Sequence, residues 1–143
     1  MSKLTRVCIC LAGVLACAPK SAPLVPPDAT EITVAADSAD HIFRARIVWY
    51  AVSPDSHLKV RPYGLRIDKV WKGARPDTIL LLQETVGTCA LRRPELFGEY
   101  IFYAHRDTSG AAAISRCSRF VSMRGDSARA DLRFLRALDR HSR

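Results

Sequence analysis

Polar and apolar residues alternate along much of the chain between residues 41 and 120, as is typical of β-strands with one buried face. In the first such segment, residues 41–52, Arg44 and Arg46 lie on one face. The opposite face is apolar and is predicted to point into the core: Phe43, Ala45, Ile47 and Trp49.

Four further strands are predicted, at residues 57–71, 78–86, 98–105 and 111–120. Gly64, inside the second strand, predicts a bulge or a sharp bend of the kind that closed barrels require. The third strand has a continuous apolar run and is predicted to be buried. The fourth places three side chains on one face: Tyr100, Phe102 and Ala104.

The period changes after Asp126 or Ser127, either of which can cap a helix. The predicted helix has its arginines mostly outside and an apolar stripe with Phe134 beside it: Leu132, Leu135 and Leu138. Five strands and one terminal helix predict an all-β protein, a small closed or partly open barrel that ends in a helix.

The N-terminus has the features of a secretory signal: Lys3 and Arg6, then an apolar run over residues 7–17 that is too short to span a bilayer. The alternative is a buried N-terminal helix, which fits less well because the run has no polar face and prolines follow it. Residues 14–17, Val-Leu-Ala-Cys, resemble the lipobox of bacterial lipoproteins. This resemblance implies cleavage after Ala16 and a lipid on Cys17, whereas ordinary signal peptidase cleavage is the competing interpretation.

Removal of residues 1–16 lowers Lys+Arg from 22 to 20 against 14 Asp+Glu, so the mature net charge is +6. Such a balance favours anionic partners, although a solvated basic surface is the simpler explanation. The remaining length suits one domain. We assign residues 17–36 to a lipidated Cys and a Pro-rich tether, and residues 37–143 to the folded domain.

The cysteine count also bears on the anchor. Cys8 and Cys10 leave with the signal, and three cysteines remain: Cys17, Cys89 and Cys117. An odd number of thiols is unusual in an oxidising compartment. If Cys17 carries lipid, the other two are able to pair and no thiol is left over.

Three short motifs follow one another in the folded part: V-W-K-G at residues 70–73, C-x(8)-G-E-Y at 89–100 and C-S-R at 117–119. Their order and spacing resemble the netrin-like domain family, which includes the tissue inhibitors of metalloproteinases and many exported bacterial proteins. The resemblance covers residues 38–138. It implies a five-stranded OB-type barrel with a C-terminal helix, a disulfide between Cys89 and Cys117, and a role as an interaction module.

The inhibitors of this family begin with Cys-x-Cys, and the first Cys chelates the protease zinc through its amine and carbonyl. Here Ala18 and Pro19 follow Cys17, and an acylated Cys17 has no free amine. Metalloprotease inhibition is therefore kept only as an alternative function. Ala18 also favours the outer membrane, because lipoproteins of this type that stay at the inner membrane often carry Asp there.

No catalytic motif, cofactor motif or metal-ligand spacing is found, and the four histidines are widely separated: His41, His57, His105 and His141. Aromatic residues and arginines that could hold nucleic acid are interleaved, but core packing explains them better: Tyr63, Arg66, Trp71, Tyr100, Tyr103 and Arg106. The sequence thus favours a non-enzymatic envelope protein, anchored in the membrane by the lipid on Cys17. The expected partner is another envelope protein or a polysaccharide, and an anionic-polymer binder is the further alternative.

Overall fold

The computed structural model describes residues 29–51, 60–83, 93–115 and 117–141. Within them lie α1 (Ala29–Ser38), β1 (His41–Tyr50), β2 (Val60–Lys72), β3 (Ile79–Gln83), β4 (Glu99–Arg106), β5 (Ala112–Ser115), β6 (Phe120–Ser122) and α2 (Ser127–His141). The first five strands close into a barrel in the order β1-β2-β3-β5-β4, with β4 pairing back onto β1. Strand β6 adds to the edge of β4.

This architecture confirms the predicted OB-like barrel with a C-terminal helix. All of its strand pairs are antiparallel except β3 with β5, which is parallel. The pairing is staggered around the barrel. The pairs that start at Tyr50 of β1 lead through β2, β3 and β5 to Arg106 of β4, two residues beyond Ala104, which pairs with His41 at the other end of β1. Such a stagger accompanies the strand tilt of closed barrels.

The barrel interior is filled by the side chains that the alternation assigned to it. Phe43, Ala45 and Ile47 of β1 are fully buried, as are Phe102 and Ala104 of β4. The rings of Phe43 and Phe102 lie 5.5 Å apart between centroids. Tightly packed apolar interiors of this kind supply most of the free energy that favours the folded state of a small domain.

A second apolar core lies outside the barrel, beneath the two helices. The outward side chains Ile42 and Ile101 meet Ile32 of α1 and Leu135 of α2 there, and all four are 2 % exposed or less. Strand β4 is consequently buried on both faces, whereas its alternation predicted one buried face. We call this helix-covered part of the outer surface the covered flank.

Helix α1 occupies residues 29–36 that we assigned to the tether. Ile32 and Ala36, one helical turn apart, are buried, so this stretch belongs to the folded domain. Lys72 at the end of β2 donates hydrogen bonds to the carbonyls of Ala36 and Asp37, at 2.8 and 3.2 Å. These bonds satisfy carbonyl groups at the C-terminus of the helix that would otherwise lack partners.

The prediction that Trp49 shares the core face of β1 is wrong. Ile47 pairs with Leu65 but Trp49 pairs with Gly64, so Val48 is an extra residue on β1 and forms a bulge. The bulge reverses the side to which the following residue points, and Trp49 lies on the outer surface. The bulge expected near Gly64 is therefore present, but on the neighbouring strand.

The predicted fifth strand, residues 111–120, is two strands. A tight turn separates β5 from β6, with the Ser118 amide donating to the Ser115 carbonyl at 3.1 Å. The Ser118 hydroxyl in turn accepts from the Ser115 amide at 2.9 Å. This turn carries the chain from the β3 side of the barrel to β4.

Two burial patterns also differ from expectation. Strand β3 is buried on one face only, because Leu80 and Leu82 are inaccessible while Ile79 is 40 % exposed. On α2, Leu135 is fully buried but Leu138 is exposed, so the predicted apolar stripe ends one turn early. In β3 and in α2, apolar residues of the sequence therefore continue beyond the part of the element that other elements cover.

Candidate functional site

One end of the barrel exposes a group of large apolar side chains. In the described part of the chain, two exposed large apolar residues lie elsewhere, Val34 and Leu138. All the others lie at this end: Val48, Trp49, Tyr50, Val60, Ile79, Leu96 and Phe97. They come from the end of β1, the starts of β2 and β3, and the segment before β4. We call this surface the apolar end.

The strand register brings these residues together. Gly64 pairs with Trp49 on one side and with Ile79 on the other, so both side chains flank it on the outer surface. The Trp49 indole lies directly on Gly64, because a Cβ atom at that position would overlap the ring. Because Gly64 has no side chain, the indole is able to pack directly against the backbone of β2.

Phe97 extends the apolar end past β1. Its amide donates to the Ile47 carbonyl at 2.9 Å, and the Ile47 amide donates to the Gly98 carbonyl at 3.0 Å. Phe97 has a φ of 61°, a left-handed conformation that costs free energy for a bulky residue. Its ring is 66 % exposed, and strained residues of this kind cluster at functional sites.

Two arginines border the apolar end. Arg46 and Arg66 pair directly across β1 and β2 on the outer surface, next to Trp49 and Gly64. Their side chains are 43 % and 62 % exposed. A Glu99 oxygen lies 3.8 Å from Arg46, and an Asp68 oxygen lies 4.0 Å from Arg66; at these distances, and with this exposure, both pairs are weak.

The covered flank holds a second polar arrangement, a network around the fully buried Asp131 of α2. Arg119 binds both carboxylate oxygens, through Nε at 2.9 Å and Nη2 at 2.7 Å. The Tyr103 hydroxyl donates to the same carboxylate at 2.6 Å. Burial, together with this hydrogen bond, raises the pKa of Tyr103, and the hydrogen bond to Asp131 raises the pKa of Arg119. These bonds tie α2 to β4 and to the segment before β6.

An open groove of about 630 Å³ adjoins this network. The groove lies between α1 and the β5–β6 turn. Its lining includes Val34 of α1, His105 and Arg119. Glu31 of α1 places an oxygen 4.0 Å from Arg119. Among the described residues, no hydrogen bond joins a serine hydroxyl to a histidine ring, the contact that would activate a nucleophile.

The histidines occupy separate surroundings. His41, the first residue of β1, is 3 % exposed, and its Nδ1 lies 3.1 Å from the Ala74 carbonyl. His57 lies outside the described residues, as does the side chain of His141. The described part of the chain contains no group of three or more His, Cys, Asp or Glu side chains placed to hold a metal ion. No helix in it has the length and apolarity needed to cross a membrane.

The residues singled out by sequence reasoning fall in different places. Cys17 and Cys89 lie outside the described residues, and Cys117 is exposed in the β5–β6 turn, where it lines the groove. Three of the aromatic side chains considered for nucleic-acid stacking are buried and unable to stack on bases: Tyr63, Tyr100 and Tyr103.

Sequence reasoning missed both the apolar end and the Asp131 network. A signal for the network was present, because Asp131 lies on the same helical face as Ala128 and Leu135. An acidic residue within a buried stripe requires a buried partner. The apolar end gave no such signal, since its central side chain, Trp49, fits the core pattern until the bulge is known.

Two comparisons with known proteins add nothing to this description: no protein-family model matches the sequence, and no curated protein matches it significantly.

Proposed function

We propose that this protein is a non-enzymatic, lipid-anchored protein of the bacterial cell envelope whose netrin-like barrel docks onto another envelope protein. The observation that carries the proposal is the apolar end. Large apolar side chains there are exposed together rather than singly, and such patches are typical of interaction sites. Strands of OB-type barrels also recur as binding faces.

The netrin-like assignment has support from where the motif residues lie. Gly73 of V-W-K-G follows β2 and has a φ of 77°, a conformation that favours glycine. The G-E-Y motif opens β4, and its Tyr100 hydroxyl accepts a hydrogen bond from the Glu95 amide at 2.8 Å. Arg119 of C-S-R binds Asp131. Each motif thus occupies a position with a specific structural requirement.

The lipid anchor on Cys17 and the Cys89–Cys117 disulfide are parts of the same proposal. The lipobox-like Val14-Leu15-Ala16-Cys17 supports the anchor. The pairing is supported by the resemblance and by the exposed position of Cys117 in a tight turn, where a second cysteine is able to reach it. On the chain-entropy model a disulfide that closes a loop of this length contributes about 3–4 kcal/mol to stability.

The position of the apolar end suits a tethered docking module. Helix α1, which directly follows the tether, joins β1 at His41, and the apolar end lies at the other end of this ten-residue strand. At 3.2–3.4 Å per residue, this is a separation of about 30 Å. The apolar end is therefore presented away from His41, where α1 leads into the barrel.

The chemistry of the apolar end favours a protein as its partner. Ile79 and Val48 offer no hydrogen bonds for a sugar, whereas Trp49, with Arg46 beside it, is of the residue types that dominate protein interfaces. The expected partner surface has apolar anchors at its centre and acidic residues at its rim, opposite Arg46 and Arg66.

The test is capture of partners from crosslinked envelopes by the full-length protein and by two variants. Trp49→Ser/Ile79→Ser removes the centre of the apolar end, and Val34→Ser changes a similarly exposed residue on α1. We expect a protein that is captured by the wild type and by Val34→Ser but lost from the double variant. Recovery of the same proteins by all three forms would overturn the proposal, as would capture of polysaccharide alone.

A further inference from the structure

Four arginines form a stripe along the outer face of α2: Arg129, Arg133, Arg136 and Arg140. Their spacing of four, three and four residues places them one above another on a helix with 3.6 residues per turn. All four are exposed. The stripe is opposite the face that carries Asp131 and Leu135, both fully buried.

Nearby acids neutralise little of this charge. The Arg129 guanidinium lies 3.4 Å from Asp126, in a pair whose side chains are both more than four-fifths exposed. Asp139 forms an ion pair at 3.1 Å with Lys69 of β2. Within the described chain, Arg133, Arg136 and Arg140 make no ion pair with a carboxylate.

The stripe also has a shape that suits phosphate groups. A shallow hollow of about 640 Å³ is lined by Arg133, Arg136, Asp139 and Arg140. Guanidinium groups bind phosphate oxygens in a planar, bidentate manner and are held by the helix at fixed spacing. Two or more phosphates on a surface are therefore able to contact the stripe at the same time.

The position of α2 indicates which anionic surface it meets. Its Leu135 packs with Ile32 of α1, so the two helices share the covered flank. Helix α1 begins at Ala29, and the segment 18–28 reaches at most about 40 Å from Cys17 when fully extended. The stripe thus belongs to a helix that packs beside α1, the element that directly follows the tether.

We propose that the arginine stripe of α2 binds the anionic phospholipid headgroups of the membrane that carries the anchor. This inference rests on the proposed lipid anchor. Contact through α2 fixes the orientation of the barrel on the membrane. A lipid chain alone fixes only the distance from the bilayer, whereas a second, electrostatic contact also fixes the orientation.

The test uses the mature chain from residue 17 with Cys17→Ser, so that no lipid contributes to binding. The probes are phosphatidylcholine vesicles with and without phosphatidylglycerol. The test variant is Arg133→Gln/Arg136→Gln, and the charge-matched control is Arg93→Gln/Arg106→Gln, at two exposed arginines outside α2. Because each arginine at a membrane surface favours binding, loss of two is expected to weaken it on the order of 30-fold.

The expected result is binding to the anionic vesicles only, reduced by added salt, lost in the α2 variant and retained in the control. Equal loss in both variants, or no binding to anionic vesicles, would overturn the inference. So would retention on an acidic polysaccharide without vesicle binding. Partner capture through Trp49 is a separate measurement, so the proposed function and this inference fail independently.

Discussion

The covered flank and the apolar end are both apolar parts of the outer surface of one barrel, yet only the first is used in folding. Ile42 and Ile79 both point outward, but Ile42 is inaccessible while Ile79 is 40 % exposed. Burial of such side chains stabilises a domain by about 25 cal/mol per Å² of apolar area. At the covered flank this free energy is gained when the helices pack on the barrel. At the apolar end it remains available for contact with another molecule.

The two regions also differ in polar content. At the covered flank, the Asp131 carboxylate fixes the position of α2 through Arg119 and Tyr103. At the apolar end, the ion pairs of Arg46 and Arg66 are long and exposed. We infer that the covered flank is built for one fixed arrangement, whereas the apolar end is able to adapt to a partner.

The largest expected difference between the regions is in Asp131→Asn. The substitution leaves the Arg119 guanidinium partly buried without its counter-charge, and we expect a loss of about 3 kcal/mol in the free energy of unfolding. The exposed Asp126→Asn is the matched control and is expected to change stability by less than about 0.5 kcal/mol. Urea denaturation measures both, and similar values for the two would contradict a stabilising network.

The same substitution at Ile42 and Ile79 compares the apolar parts directly. Ile42→Ala creates a cavity beneath the helices and is expected to cost about 2–5 kcal/mol. Ile79→Ala removes a side chain that is already partly in water, so its expected cost is below about 1 kcal/mol. If denaturation curves showed that Ile79→Ala costs as much as Ile42→Ala, the apolar end would be part of the folded core rather than a free surface.

A smaller effect is expected for Gly64→Ala, which tests how Trp49 is held. The added Cβ overlaps the indole, so the ring must leave its place, at an expected cost of about 1 kcal/mol. In a Trp49→Thr background the clash is absent and the cost should largely disappear. A double-mutant cycle measures this coupling; an unchanged cost in both backgrounds would mean that the indole does not rest on Gly64.

The smallest effect is confined to alkaline pH. The raised pKa of Tyr103 means that the folded protein holds this phenolic proton more tightly than the unfolded chain does. The resulting stability is fully present below about pH 10, the ordinary tyrosine pKa, and is lost as the pH rises above it. In denaturation series at increasing pH, Tyr103→Phe should flatten this decline, whereas the exposed Tyr50→Phe should not.

Sequence periodicity was sufficient to predict the barrel, because alternation is required wherever a strand has one buried face. It could not identify which outward residues would be covered, since that depends on where α1 and α2 pack. The bulge at Val48 likewise depends on the register with β2, and one inserted residue moved Trp49 from the core to the surface. The pattern of Ile32 and Ala36 was too short to distinguish a helix from a tether.

Closure of the barrel has a consequence for how fast and in what order the chain folds. His41 of β1 pairs with Ala104 of β4, and β5 joins β4 to β3, so the barrel cannot close until about three quarters of the described chain is in place. Contacts between residues so far apart in sequence slow folding, and barrels rich in them fold in milliseconds to seconds. Throughout that interval β1 has an unpaired edge and Phe43 is uncovered, which makes the emerging chain prone to aggregation. Any contact that keeps β1 covered until the barrel closes is therefore expected to reduce aggregation of this chain during folding.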